Sequence, residues 1–184
     1  LGEFNTASLM YAEDMFSDCG ELRALDLSNM KMGKVKSMRR MVAYCSSLQT
    51  LNVSGWDTSN VTDMSEAFAG CRMLEELDVS SFDTARVENF FGAFSGLEFV
   101  TALDVGHFDT SAATNMDSMF DGNFSLTTLD VSGFNTAHVQ NLNRMFTNCQ
   151  NLTELDVSGF DTSNVTTMDN MFEGCNMLAE LNLS

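Results

Sequence analysis

Aspartate or asparagine returns at one interval through the chain, at Asp26, Asn52, Asp78, Asp104, Asp130, Asp156 and Asn182, each 26 residues after the last. Glu76 and Glu154 stand two residues before members of this row, and Glu180 does the same near the end. Carboxylates ranked in this way repel one another unless something relieves them. Solvent and hydrogen bonds from the flanking serines are one relief; a basic partner is another. A third is Ca²⁺ bridging successive carboxylates, which needs several oxygen ligands for each ion. The row is thus a candidate binding face made of Asp26, Asp78, Asp104, Asp130, Asp156, Glu76 and Glu154.

Two sulfur-bearing rows follow the same interval. Cys19, Cys45, Cys71, Cys149 and Cys175 fall in one column, with Leu97 and Asn123 replacing cysteine in the two coils between. Parallel side chains suit the dihedral of a disulfide poorly, so a ladder of thiols is expected, and an odd count leaves at least one unpaired. Zinc would want clustered ligands, whereas His107 and His138 sit in unrelated columns. Met15, Met41, Met119, Met145 and Met171, with Met38, Met64, Met116 and Met168, suggest a soft-metal array by composition, but their spacing places them in the core. No nucleophile recurs beside either histidine and no glycine-rich phosphate loop is present, so no enzyme activity, resident metal or cofactor is expected.

Residues that break their own column are a second kind of candidate. Phe91 stands where other units carry Glu13, Arg39, Ser65, Asp117, Asn143 and Asp169, while Phe99 and Phe124 replace mostly polar residues in adjacent units. Three exposed aromatics would make an interface patch; inward repacking where cysteine is lost is the alternative. Lys31, Lys34, Lys36, Arg39 and Arg40 form a basic patch. With Arg23 they occupy a window holding one acid, Asp26, so the remainder carries 25 acids against three bases (26 − 1 and 9 − 6). The patch is either a partner site or a solvated face.

The elements that must position these residues follow from the repeat. Leu-x-x-Leu-x-Leu/Val, as at Leu22, Leu25 and Leu27, alternates like a short strand with one buried face. An aromatic or apolar column comes next (Phe4, Met30, Trp56, Phe82, Phe108, Phe134, Phe160). A turn follows in which Thr6, Thr58, Thr84, Thr110, Thr136 and Thr162 recur, and which, as Asp-Thr-Ser-Asn at Asp57 to Asn60, offers side-chain oxygens to cap a helix. Val61, Met64 and Phe68, and Val165, Met168, Met171 and Phe172, have helical spacing. Gly70, Gly96, Gly122 and Gly174, with Asn148 in the same column, tolerate the left-handed conformation that closes a helix. The expected fold is an α/β leucine-rich-repeat solenoid of about seven coils, with one short parallel strand and one short helix per 26-residue coil.

The phrase from Leu155 to Cys175, Leu-Asp-Val-Ser-Gly-Phe-Asp-Thr-Ser-Asn-Val-Thr-Thr-Met-Asp-Asn-Met-Phe-Glu-Gly-Cys, resembles the BspA-like leucine-rich repeat of surface proteins from bacteria and some unicellular eukaryotes. The likeness covers the whole chain. It departs in the second coil, where Met30-Lys31-Met32-Gly33-Lys34 replaces the usual turn, and at Leu97 and Asn123. The resemblance implies a secreted or surface-displayed adhesion or protein-binding array with no catalytic site. The rival expectation is a structural subunit of a fibre or large assembly, formed by end-to-end stacking.

Composition bounds these readings. A chain of 184 residues with 44% apolar content suits a single domain over 1–184. Leu1 and Ser184 both align with strand positions, which suggests a segment of a longer array. No apolar run reaches the roughly 18 residues that span a bilayer, so membrane insertion is not expected. The net charge of −17 repels phosphate backbones and disfavours nucleic acid as a partner. A protein partner or self-association remains. Asn-x-Ser/Thr triplets at Asn52, Asn60, Asn123, Asn151, Asn164 and Asn182 would be glycan acceptors in a eukaryotic secretory pathway.

Overall fold

The computed structural model describes residues 5–183; Leu1, Phe4 and Ser184, named above, lie outside them. Coils pile up in register. Parallel bridges link Tyr11, Ser37, Asp63, Asn89, Asn115, Asn141 and Thr167 in one unbroken row, each residue paired with the one 26 positions on. A second row runs along the leucine segments. There, β1 (Ala24–Asp26) pairs with β2 (Thr50–Asn52), β3 (Glu154–Asp156) pairs with β4 (Glu180–Asn182), and a single bridge joins Ala102 to Thr128.

The expected helix in each coil does not form. Among the described residues there is no helix, and the only strands are these four three-residue segments in two small parallel sheets. The chain is therefore not an α/β solenoid with a helix per coil. The backbone hydrogen bonds show why. The N–H groups of Met64, Glu66, Phe68 and Gly70 donate to the carbonyls of Asn89, Phe91, Ala93 and Ser95 in the next coil, at 3.0, 2.7, 3.0 and 2.8 Å. Those of Ala67 and Ala69 donate within the coil, to Met64 and Glu66 at 3.0 and 3.1 Å. Each N–H donates once, so a segment that spends alternate donors on its neighbour cannot complete an α-helical ladder. The φ angles agree: Glu66 at 52° and Gly70 at 67° are left-handed, and Arg40, Ser118, Arg144 and Asn170 repeat the first of these positions. The expected left-handed column at Gly70, Gly96, Gly122, Asn148 and Gly174 is present, but it closes a run of turns. Gly96 also allows close approach, since a Cβ there would lie 3.4 Å from the Gly70 backbone.

Buried columns hold the coils together. Phenylalanine rings stack one over the next along the axis, Phe68 to Phe94, Phe120, Phe146 and Phe172, with centroids 5.8–6.0 Å apart and planes within 12°. Trp56 stacks on Phe82 and donates its indole N–H to the Leu27 carbonyl at 3.0 Å. Met38, Met41, Met64, Met116, Met119 and Met145 are buried as the core reading requires, whereas Met168 is 46% exposed.

One buried column is polar. Thr58, Thr84, Thr110 and Thr136 are buried, and each hydroxyl donates to a carbonyl of the next coil, at Asp83, Asp109, Asn135 and Asp161. Thr58 and Thr110 also accept the N–H of that same residue, both at 2.8 Å. The threonine is thus a clamp between coils, not a helix cap. Capping of the local turn falls to its neighbour: Asp57, Asp83, Asp109, Asn135 and Asp161 each accept the N–H two residues on.

Candidate functional site

Within each leucine segment the chain alternates. Leu27, Val53, Val79, Val105, Val131 and Val157 are buried, while the Asp/Asn row one residue earlier is exposed. The row therefore stands on the outer face of the strands, as the period of two dictates. Two shallow troughs cover this face, about 590 Å³ from Ala24 to Ala102 and about 620 Å³ from Ala102 to Asn182, so that they meet at Ala102. Leucines line them lengthwise, with Leu77, Leu103, Leu129 and Leu155 no more than 8% exposed.

The aspartates form one wall and are held by their own backbone. Oδ1 of Asp26, Asp78, Asp130 and Asp156 accepts the N–H of the serine two residues on, at 2.9–3.0 Å. Ser132 and Ser158 add their hydroxyls at 2.7 Å. These bonds favour the charged form and lower the pKa of all four groups, chiefly through the serine hydroxyl at Asp78, Asp130 and Asp156 and through the serine N–H at Asp26. Asn52 makes the same turn to Ser54 at 3.1 Å, so the geometry does not require a charge. The facing wall is uneven. Glu76 and Glu154 stand there in two coils, while Ala102 and Thr128 in the coils between leave a notch.

The other candidates are distributed differently. Phe91, Phe99 and Phe124 are all exposed, at 36, 52 and 36%, but no ring contact among the described residues joins them. Phe99 and Phe124 lie in successive turns closed by the Leu97–Val100 and Asn123–Leu126 hydrogen bonds. Phe91 instead borders a polar recess with Asp117, Ser118 and Asn143. Sequence reasoning missed Met73, 41% exposed and in the same column as Phe99 one coil earlier. Aligning that column would have revealed it. Beside them, Arg72 and Glu98 pair at 3.2 Å.

The basic patch divides in two. Arg40 reaches Asp14 at 2.6 Å and Asp18 at 3.3 Å and lies over the Tyr44 ring; Arg39 also meets Asp14, at 3.3 Å. The Asp14 hydrogen bond holds the Arg40 guanidinium still more firmly protonated than usual. Lys31, Lys34 and Lys36 are exposed.

All five cysteines are free thiols. Cys45, Cys71, Cys149 and Cys175 donate to the carbonyls of Phe16, Val42, Phe120 and Phe146 at 3.0–3.3 Å. Where the column holds Asn123, its buried Oδ1 accepts the Leu97 N–H at 2.9 Å, so this asparagine is not an accessible glycan acceptor. Among the described residues no group of three or more His, Cys, Asp or Glu is placed to hold a metal ion.

Stacked coils with an outward strand face define a repeat protein whose surface is written column by column. Comparison with protein families places the chain within that class: it belongs to the family described as Mycoplasma protein of unknown function, DUF285, which matches residues 10–100 and 90–183. No curated protein matches it. Among solved structures it is similar to a leucine rich cell surface protein from Faecalibacterium prausnitzii, at 19% identity and a TM-score of 0.34, over 92% of this chain and 62% of that one. It is also similar to the TLR13 chain of a TLR13–ssRNA13 complex, at 15% identity and a TM-score of 0.34, over 97% of this chain and 35% of that one. The chain thus spans less than two thirds of either structure. Among the described residues no helix is long and apolar enough to cross a membrane.

Proposed function

We propose that this chain is a noncatalytic protein-binding module, displayed at the cell surface as an array of BspA-like 26-residue leucine-rich repeats, and that it engages its partner through the strand face. The observation that carries this reading is the pair of shallow troughs on the strand face that share Ala102, each with one wall of Asp and Asn side chains, most of them held by serine turns. The core supports it independently. Stacked rings and threonine clamps hold the coils from within, so the exposed strand positions are free to make external contacts.

The test is to pan a displayed random-peptide library against the folded chain, counter-selecting with Ala102→Gln/Thr128→Gln, which fills the notch with neutral bulk. Recovery of sequences that bind the parent and lose the variant supports the module. Binders indifferent to the notch, or none at all, would overturn it. Surface display is checked by antibody labelling of intact source cells; labelling that requires permeabilised cells would refute that part.

A further inference from the structure

One cavity lies apart from the strand face. A recess of about 340 Å³ runs along the stack from Phe91 through Asp117 and Asn143 to Asp169, with Ser118, Arg144 and Asn170 from the adjoining column, and none of these residues lines either trough. Gly92 and Ser118 are the small members of that adjoining column, where other coils carry Asp14, Arg40, Glu66, Arg144 and Asn170, so the coils beside Phe91 leave space. The polar groups are set before any ligand arrives. Asp117 Oδ1 accepts the Ser118 hydroxyl at 2.6 Å and Oδ2 accepts the Asn141 amide at 3.0 Å, and each oxygen keeps a lone pair for a further donor. Asn143 Oδ1 accepts both the Thr167 hydroxyl and the Asp169 N–H, which fixes the amide and leaves its Nδ2 with no acceptor among the described residues. The Arg144 guanidinium is exposed and donates no hydrogen bond among the described residues. We propose that this recess binds a neutral saccharide, with a pyranose ring packed on Phe91 and its hydroxyls shared among Asp117, Asn143 and Arg144.

The mixture of groups selects the class of ligand. Asp117 and Asp169 repel an anion. The amide and guanidinium donors offer nothing to a metal or ammonium ion, which needs acceptors only. Phe91, 36% exposed in a column that is otherwise polar, calls for an apolar surface to cover it. A sugar meets all three demands: each hydroxyl both donates and accepts, so it uses carboxylate and amide together, and the C–H face of the ring covers the phenyl group. Spacing agrees. Hydroxyls on adjacent ring carbons are close enough to share one carboxylate, and those on alternate carbons lie about one coil spacing apart, roughly 4.8 Å. The recess is near the lower end of the roughly 300–1,000 Å³ of small-molecule sites, which suits a mono- or disaccharide.

The probes are the methyl glycosides of glucose, galactose, mannose and N-acetylglucosamine, with cellobiose, lactose and chitobiose, each titrated against the folded chain by saturation-transfer difference NMR. At least one should bind with a millimolar dissociation constant that is unchanged between 50 and 500 mM NaCl, as a neutral ligand requires. Affinity should fall at least tenfold in Phe91→Asp, which installs the type found at Asp117 and Asp169 in the same column, and in Arg144→Ser, which installs that of Ser118. It should change less than twofold in Phe99→Ser, which removes a more exposed aromatic outside the recess. Melting temperatures within about 2 °C of the parent establish that the variants are folded; should Phe91→Asp fail this, Arg144→Ser carries the test. No transfer from any probe at tens of millimolar would overturn the proposal, as would retained binding in either folded recess variant. An equal loss in Phe99→Ser would reduce the effect to aromatic adhesion and overturn it. Sorbitol, which has no ring, binding as well as the glycosides, or binding that weakens with salt, would also overturn it. The strand-face reading is tested separately by panning and stands or falls without this site.

Discussion

Replacing Thr110 separates a clamp between coils from a helix cap. Its hydroxyl is 1% exposed, donates to the Asn135 carbonyl at 3.0 Å and accepts the Asn135 N–H at 2.8 Å. Thr110→Val keeps the shape and deletes both bonds, leaving a donor and an acceptor without their partner. At about 1–1.5 kcal/mol each the loss is about 2–3 kcal/mol, or roughly 4–12 °C in melting temperature for a domain of this size. Thr84→Val serves as an internal scale, because only the donated bond to Asp109 is present there, and should cost about half as much. Thr110→Ser retains the hydroxyl and should lose about 1 kcal/mol through the missing methyl group. Thr110→Asn is decisive. Asparagine equals or betters threonine as a helix cap, whereas a clamp has no room for the larger amide. The assay is thermal unfolding followed by circular dichroism on all four variants. An Asn variant that melts with the parent, or a Val variant within 1 °C of it, would refute the reasoning.

Ring stacking predicts a nearest-neighbour rule: Phe94→Leu and Phe120→Leu should couple by about 0.5–1.5 kcal/mol in a double-mutant cycle, while Phe68→Leu and Phe120→Leu, two steps apart, should add within about 0.5 kcal/mol, as read from urea denaturation. Acid should weaken the fold through the turn aspartates. Asp78, Asp109 and Asp130 titrate below their ordinary 3.8 because serine hydrogen bonds favour the charged form, so the unfolded chain protonates first. Their contribution is complete above about pH 4 and is lost as the pH falls through the folded values; melting temperatures between pH 6 and 2 should show that loss reduced in Asp78→Asn/Asp109→Asn/Asp130→Asn. Asp121 has the opposite sign, since burial raises its pKa and charging it as pH rises destabilises the folded state; Asp121→Asn should therefore melt higher than the parent at pH 7. Burial pushes the Cys71 thiol up to about 12 and Cys149 in the same direction, whereas Cys19 is exposed. At pH 8 Ellman's reagent should label Cys19 rapidly and reach Cys71 and Cys149 only on unfolding.

The pairing of residues 26 apart was legible because each column repeats one chemical type: leucine on leucine at Leu25 and Leu51, aspartate beside asparagine at Asp26 and Asn52. The outward placement of the aspartates followed from alternation alone. The helix was not legible. Val61, Met64 and Phe68 are all buried, as the helical reading requires, but burial at i, i+3 and i+7 is equally the mark of turns that fold back over a core. What excludes a helix is the left-handed backbone at Glu66, and most residue types in that column, such as Arg40, Glu66, Ser118 and Arg144, give no sign of it; only Gly92 and Asn170 are clear exceptions. The threonine column was visible but its role between coils was not, because a hydroxyl that caps its own turn and one that bridges to the next coil leave the same letter. Splitting of the basic patch was hidden for a similar reason: Asp14 and Asp18 belong to the preceding coil and become partners of Arg39 and Arg40 only through the stack.

That stacking also explains how a binding face can change without endangering the fold. The columns that hold the coils together, the phenylalanine rings and the threonine clamps, lie inside and keep nearly one residue type. The column facing the aspartates across the trough runs Ala24, Thr50, Glu76, Ala102, Thr128, Glu154 and Glu180, a mixture of sizes and charges that none of the interior contacts would tolerate. A position that accepts alanine, threonine and glutamate in otherwise equivalent coils places little demand on stability. Substitution there alters the shape and charge of the trough one coil at a time, about 4.8 Å along the axis. Ala102 and Thr128 lie side by side across a backbone bridge, so the notch they make spans two coils and is bounded by glutamate on both sides. Filling it should therefore change what the face binds while leaving the melting temperature of the chain within about 1–2 °C of the parent.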